Sequence, residues 1–295
     1  GTFNASWVLG SPTFDSVAFN IHTTEKPGSL VIEFGTQSLQ YDQQFPPSML
    51  EVDRPLEIVL RRLKPGTRYF YRLRFQAGNS KDWVDKPDFY VLMGDDFSVD
   101  TLNPDTITAA KVRERYTFQR PFLTLIGRTS PLYLVNGNHE QAAQYLLDNT
   151  ANNVAVWAQN ARNSLYSQPA PDSFYSGNLN QIPFIGFLRN YFSWTWGDAL
   201  FVVIDPYWES PVPVDNQFGG TGKRQSMWEV THGDAQYQWL KQTLEQSKAK
   251  HKFVFSHHVM GTGRGGIELA RLWEWGGESQ NGQFEFAKQR PLWSM

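Results

Sequence analysis

From residue 89 onward, four short and almost unbroken apolar runs each stop at a polar cluster. They are Phe89-Tyr90-Val91-Leu92-Met93 before Gly94-Asp95-Asp96, Leu132-Tyr133-Leu134-Val135 before Asn136-Gly137-Asn138-His139, Leu200-Phe201-Val202-Val203-Ile204 before Asp205, and Phe253-Val254-Phe255 before Ser256-His257-His258. Runs of this length and composition predict strands buried on both faces. Helices are expected between them, most clearly over Asp234 to Lys250. There Asp234 would cap the N-terminus, Tyr237, Leu240 and Leu244 would form an apolar stripe, and Lys248 and Lys250 would sit near the C-terminal end. Strand and helix in alternation predict an α/β sheet covered by helices on both sides.

The first 75 residues follow a different rule. Val17, Phe19, Ile21, then Leu30, Ile32, Phe34, then Leu56, Ile58, Leu60 recur with period two, and Tyr69, Tyr71 and Leu73 continue it. Lys26-Pro27-Gly28 and Lys64-Pro65-Gly66 supply turn chemistry between these strands. The expected organisation is therefore an antiparallel all-β sandwich over residues 1–75 and an α/β domain over residues 76–295. The stretch from about Asn160 to Asn190, rich in Asn, Ser, Pro and aromatics, reads as a long ordered loop.

Composition narrows the chemistry. A formal net charge of -2 with 19% charged residues creates no global field towards nucleic acid or a membrane surface, so any charge that matters is local. No apolar run reaches the length of a membrane span, and the N-terminus lacks the basic-then-apolar pattern of a signal peptide; one already cleaved would leave the same sequence. With no cysteine, any metal site must use His, Asp, Glu or Asn.

Ligands of open α/β sheets gather at the carboxyl ends of strands, which is where all four polar clusters fall. Asp95, Asn138, His139, His257 and His258 together offer carboxylate, amide oxygen and imidazole, a set suited to hard or borderline divalent and trivalent ions. Two such ions a few Å apart would clamp a phosphate and turn a bridging water into an attacking hydroxide. Read alone, Gly94-Asp95-Asp96 is an ordinary turn and His257-His258 an ordinary strand end; their ordered combination is what points to chemistry. Gly261-Thr262-Gly263-Arg264-Gly265-Gly266 is either a flexible loop or a phosphate-holding one in which Arg264 contributes. His22, His232 and His251 read as structural, whereas Trp273, Trp275 and Trp293 are either packing residues or walls of a substrate pocket.

These motifs resemble the calcineurin-like metallophosphoesterases. Gly94-Asp95 matches the family's Gly-Asp, Gly137-Asn138-His139-Glu140 its Gly-Asn-His-Glu, and His257 or His258 the histidine that follows a later strand. Phe174-Tyr175-Ser176-Gly177, Trp196-Gly197-Asp198 and Ile204-Asp205-Pro206-Tyr207-Trp208 look similar to bacterial members described as alkaline phosphatase D-like. The run Leu63 to Arg72 resembles late strands of the fibronectin type III-like domains that precede the catalytic part in purple acid phosphatases; a spacer or binding module would read the same way.

The resemblance implies a metallophosphoesterase β-sandwich flanked by helices, two metal ions (Fe, Zn, Mn or Ca), a small phosphate-ester substrate, a monoester ahead of a diester, and a secreted or periplasmic setting. It implies that Asp95 bridges both metals, that Asn138 and His257 bind metal, and that His139 faces the phosphate as the catalytic histidine. His258 and Arg264 are further candidates for metal or substrate. The family's Asp-x-His and Gly-His-x-His motifs do not occur in this sequence. Two expectations follow: the natural protein carries further residues near Ala77-Gly78 and after Trp293, or it has lost its metals and keeps the fold as a surface scaffold. Hydrolysis of phosphodiesters or nucleotides is the competing enzymatic reading. The residues after Asp95 hold no early tyrosine, which argues against a purple iron site.

Overall fold

The period-two segments become two sheets. The computed structural model describes residues 5–75, 78–79, 87–211 and 232–257. Its first strands are β1 (Ser6–Gly10), β2 (Val17–His22), β3 (Gly28–Gly35), β4 (Gln43–Leu50), β5 (Leu56–Leu60), β6 (Phe70–Phe75) and β7 (Gly78–Asn79). One sheet has the order β1-β2-β5 and the other β4-β3-β6-β7, with antiparallel neighbours throughout. Leu9, Phe19, Ile21, Ile58 and Leu60 from the first sheet close on Leu30, Ile32, Phe34, Leu50 and Leu73 from the second. Each such side chain removed from water contributes about 1.5–3 kcal/mol before chain entropy is charged against it. Pro46 and Pro47 lack N–H donors and lie in β4, an edge strand, where a ladder can spare them.

The second sheet also carries an ion cluster. Glu33 on β3 faces Arg72 across the ladder, pairs closely with it, and lies 2.8 Å from the Arg74 guanidinium. Burial pushes the Glu33 carboxyl up, but hydrogen bonds and charge from Arg72 and Arg74 outweigh this, so its pKa is lowered from 4.5. A carboxyl depressed on folding stabilises above its unfolded pKa, and that contribution disappears as pH falls through the folded value. Replacing Glu33 by Gln should therefore cost about 1 kcal/mol at neutral pH, since Arg74 is half exposed and screened. The difference from wild type should shrink below pH 4.5, as read by urea unfolding at neutral and acid pH.

The described residues fall into two compact units, one within Gly1–Val91, Thr117–Tyr133 and Arg162–Gln168, the other within Leu92–Tyr116, Leu134–Ala161 and Pro169–Met295. In the first, Arg120 is buried. Its guanidinium donates to Ser6 Oγ at 2.7 Å, to the Asn20 carbonyl at 2.7 Å and to the Leu165 carbonyl.

Beyond residue 87 the elements are β8 (Tyr90–Leu92), α1 (Ala109–Gly127), β9 (Leu132–Leu134), α2 (Val154–Leu165), β10 (Ser176–Gly177), β11 (Gln181–Ile182), β12 (Gly186–Phe187), β13 (Phe192–Trp196), β14 (Ala199–Val203), α3 (Gly233–Gln246) and β15 (His251–Phe255). β8 pairs with β9, β11 with β12, and β10-β13-β14-β15 form a mixed sheet in which only β14 and β15 run parallel. Helices and strands thus give the expected α/β class.

Three local expectations need correction. β8 and β15 are not buried on both faces: Tyr90 is 42% exposed and Phe253 and Val254 are 47% and 44% exposed, and each of these strands has a single strand partner among the described residues. α3 ends at Gln246, before Lys248 and Lys250, and His232 rather than Asp234 stands at its N-cap; its buried residues are Gln236 and Leu240, not Tyr237. The stretch from Asn160 begins inside α2, which Asn153 caps by accepting the Ala155 N–H at 2.9 Å.

Candidate metal and phosphate site

The ends of β8, β9 and β15 bring the motif residues of the second unit together through their backbones. After β8 the chain turns with Gly94 at φ 95° and Asp95 at φ 61°, a left-handed pair that aims the Asp95 carboxylate across the next loop. Glycine is required at both contact points. A Cβ on Gly94 would lie 2.7 Å from the Gly137 nitrogen, and one on Gly137 would lie 2.2 Å from Asp95 Oδ1 and 2.5 Å from the Asp95 nitrogen.

Glu140 locks this approach. Its buried carboxylate accepts the N–H groups of Gly137, of Asp95 at 3.1 Å and of Phe97 at 3.2 Å, so one side chain binds both loops. Burial, then the neighbouring Asp95 charge, push its carboxyl up to about 7, against the pull of the Asp95 and Phe97 N–H groups.

Three ionisable side chains converge on one point. His257 Nε2 is 3.1 Å from Asp95 Oδ2, and His139 Nε2 is 3.7 Å from the same oxygen. His257 Nδ1 lies 2.6 Å from the Met93 carbonyl, which can only accept, so Nδ1 carries a proton and Nε2 is the atom turned to Asp95. Burial lowers the His257 pKa, but its bonds to Asp95 and Met93 raise it further, and the net shift is upward. Burial likewise raises Asp95, whereas His257 and the His139 N–H, 3.1 Å from Asp95 Oδ1, bring it below its ordinary value. The Tyr207 ring stands edge-on to His257, with centroids 6.0 Å apart.

The donor set fits a metal ion on one side. Asp95 Oδ2 and His257 Nε2 share a position that a proton or a cation can fill, and the Met93 carbonyl holds the imidazole in the tautomer a ligand needs. Asn138 is buried in the short turn Asn138–Glu140 beside them. Among the described residues no group of three His, Cys, Asp or Glu is arranged to hold a metal. His258, Arg264, the Gly261–Gly266 loop and Trp273, Trp275 and Trp293 lie outside the described residues.

Two acids take on roles that the sequence did not assign. Asp100, buried, places Oδ2 2.5 Å from His139 Nδ1. An acceptor there fixes the imidazole tautomer and points Nε2 towards Asp95. Only the need of a histidine for an acceptor hints at Asp100, and spacing does not reveal which nearby acid supplies it. Asp205, fully buried after β14, accepts Asn136 Nδ2 at 3.2 Å, Asn190 Nδ2 at 2.8 Å and the Tyr207 N–H at 2.9 Å, while Gln236 bonds its backbone at both ends. This network braces Asn136, the residue before Gly137. The sequence marked Asp205 as a strand end but gave it no partner.

A family model described as calcineurin-like phosphoesterase matches residues 64–281. The solved structure of PhoD matches with a TM-score of 0.54 at 15% identity, covering 86% of this chain and 63% of that chain. At that identity the match shows a shared fold. A purple acid phosphatase, PPD1 from yellow lupin (Lupinus luteus) seeds, matches with a TM-score of 0.49 at 13% identity over 86% of this chain and 51% of that one. This chain therefore spans less than two thirds of the PhoD chain. No curated protein matches it in sequence.

Proposed function

Because the chain belongs to the calcineurin-like phosphoesterase family, we propose that it hydrolyses phosphate esters, monoesters above all, at the cluster formed by Asp95, Asn138, His139 and His257. The observation that carries this reading is the convergence of His257 Nε2 and His139 Nε2 on Asp95 Oδ2 at the ends of three strands. In this reading Asp95, Asn138 and His257 are the residues that would hold metal. When bound, such ions supply Lewis-acid charge to the phosphoryl oxygens and a nucleophile at neutral pH.

The chain's own residues supply the rest. His139 is one third exposed at its side chain, so its Nε2 can reach a substrate oxygen, where a protonated imidazole donates to the leaving group or to a phosphoryl oxygen. Asp100 holds the opposite nitrogen and would stabilise the imidazolium, which makes it a positioning residue rather than one that touches substrate. Glu140 and the two glycines keep the loops at contact distance. The reading also includes an N-terminal fibronectin type III-like sandwich over residues 1–75, a catalytic domain over residues 76–295 and an exported setting, which cell fractionation of the natural protein would check.

Replacing Asp100 by Ala should lower kcat roughly 10–100-fold with little change in KM, as expected when a supporting partner is lost. Asp100→Asn should recover less than a carboxylate does, since its amide cannot stabilise an imidazolium. A rise in KM with kcat intact would place Asp100 in substrate binding instead. Monoester specificity is tested by kcat/KM on p-nitrophenyl phosphate against bis-p-nitrophenyl phosphate: the monoester should be preferred, and a preference for the diester would replace this substrate assignment while leaving the metal chemistry in place.

A further inference from the structure

One end of the N-terminal sandwich carries a surface that hydrolysis does not use. β1, β3 and β5 all finish there, because the registers pair Gly10 with Ala18, Gly35 with Phe70 and Val17 with Leu60. The loops of residues 11–16, 36–42 and 61–69 therefore share that end. The Leu63 N–H donates to the Asp15 carbonyl at 2.8 Å, which joins the first loop to the third. The Arg72 guanidinium lies 4.5 Å over the Tyr41 ring, which fixes the second loop to β6.

The side chains on these tips are unlike an ordinary solvated surface. Phe14 is 64% exposed and Leu39 77% exposed, each at the tip of its loop. Leu39 even holds φ at 63°, a conformation that Gly or Asn adopts at lower cost. On the third loop of the same end Arg61, Arg62, Lys64 and Arg68 are all exposed. None of these cations makes an ion pair among the described residues, although Arg54, Arg72 and Arg74 do. The acids of the same loops are Asp15 and Asp42, so the end is cationic although the chain as a whole has a formal net charge of -2.

We infer that this end of the sandwich docks on an anionic lipid surface, with Phe14 and Leu39 entering the headgroup boundary and the four cations meeting lipid phosphates. Lipid is favoured over a soluble polyanion because the cations alone would serve a polyanion, whereas two exposed apolar tips on the same end as the cations match the layered chemistry of a membrane interface. Docking would hold the chain at a membrane without a span; no helix among the described residues is long and apolar enough to cross one.

The test is sedimentation of the full chain with vesicles of phosphatidylcholine plus phosphatidylglycerol, with phosphatidylcholine vesicles alone, and retention on heparin. Binding should require the anionic lipid and weaken with salt. Changing Arg61, Arg62, Lys64 and Arg68 together to Ser should weaken it by on the order of a hundredfold or more, because each surface cation contributes roughly a fivefold factor. Lys64→Ser with Arg68→Ser, which leaves the left-handed turn at Arg62 in place, should show an intermediate loss. Phe14→Ser with Leu39→Ser should weaken vesicle binding about tenfold while leaving heparin retention unchanged. All three variants should keep the wild-type circular dichroism, since the changed side chains are exposed. No binding to anionic vesicles overturns the proposal. So does vesicle binding indifferent to Phe14 and Leu39, which would reduce the contact to charge alone and leave the apolar tips without a role.

Discussion

Replacing Asp95 by Asn should reduce kcat/KM for phosphate-ester hydrolysis by on the order of a thousandfold, equivalent to about 4 kcal/mol of transition-state stabilisation. Asparagine has the same shape and tolerates the left-handed backbone at φ 61° better than alanine does, so the variant should fold. What it loses is charge. Asp95 Oδ2 is the atom to which His257 Nε2 and His139 Nε2 both turn, and a neutral amide there removes the anionic half of the proposed ligand pair. Metal content measured on the purified variant should fall together with the rate. Wild-type rate and metal content in Asp95→Asn would remove Asp95 from the site.

Replacing Gly137 by Ala should be nearly as damaging for a different reason. The new methyl group would stand 2.2 Å from Asp95 Oδ1, 2.5 Å from the Asp95 nitrogen and 2.7 Å from Glu140 Oε2. A side-chain oxygen can swing away, but the Asp95 nitrogen belongs to the backbone, so one of the two loops must move. Moving either breaks bonds that Glu140 makes to both. Overpacking of this kind costs about 1–3 kcal/mol in stability, and a displacement of about 1 Å is enough to lower the rate by roughly a hundredfold. Gly186→Ala is the control. It also has positive φ, 78°, but nothing stands within 4 Å of the added carbon, so it should cost about 1 kcal/mol and leave activity unchanged. Equal activities for the two variants would mean that loop contact at Gly137 is not what organises the site.

Much of the fold was legible because the hydrophobic period states what is buried. Val17 to His22, Gly28 to Gly35 and Leu56 to Leu60 became strands where alternation predicted them, and the apolar runs before Gly94, Asn136, Asp205 and Ser256 did the same. α1 was not legible. Pro121 interrupts its sequence, Phe118, Phe122 and Leu125 lie exposed, and Arg120 is buried, so apolar position does not report the inner face. β4 was hidden by Pro46 and Pro47.

The site divides along the same line. Asp95, Asn138, His139 and His257 could be named because each follows a strand in a recognisable order. Asp100, Glu140 and Asp205 act through hydrogen bonds to groups 39, 45 and 69 residues away, and no local pattern encodes such separations. The positive φ at Asp95, which aims its carboxylate, and the close approach of its loop to Gly137 are likewise not encoded by the Gly-Asp pair alone.

The central claim is that the cluster around Asp95 works through bound metal. Its most direct test is the hydrolysis of p-nitrophenyl phosphate by the purified protein before chelation, after chelation, and after addition of Mn, Zn, Fe or Ca in turn, with Asp95→Asn carried in parallel. The rate should disappear with chelator, return with at least one of these ions, and stay absent in Asp95→Asn. A rate that is indifferent to chelator, or one that Asp95→Asn retains, would contradict it.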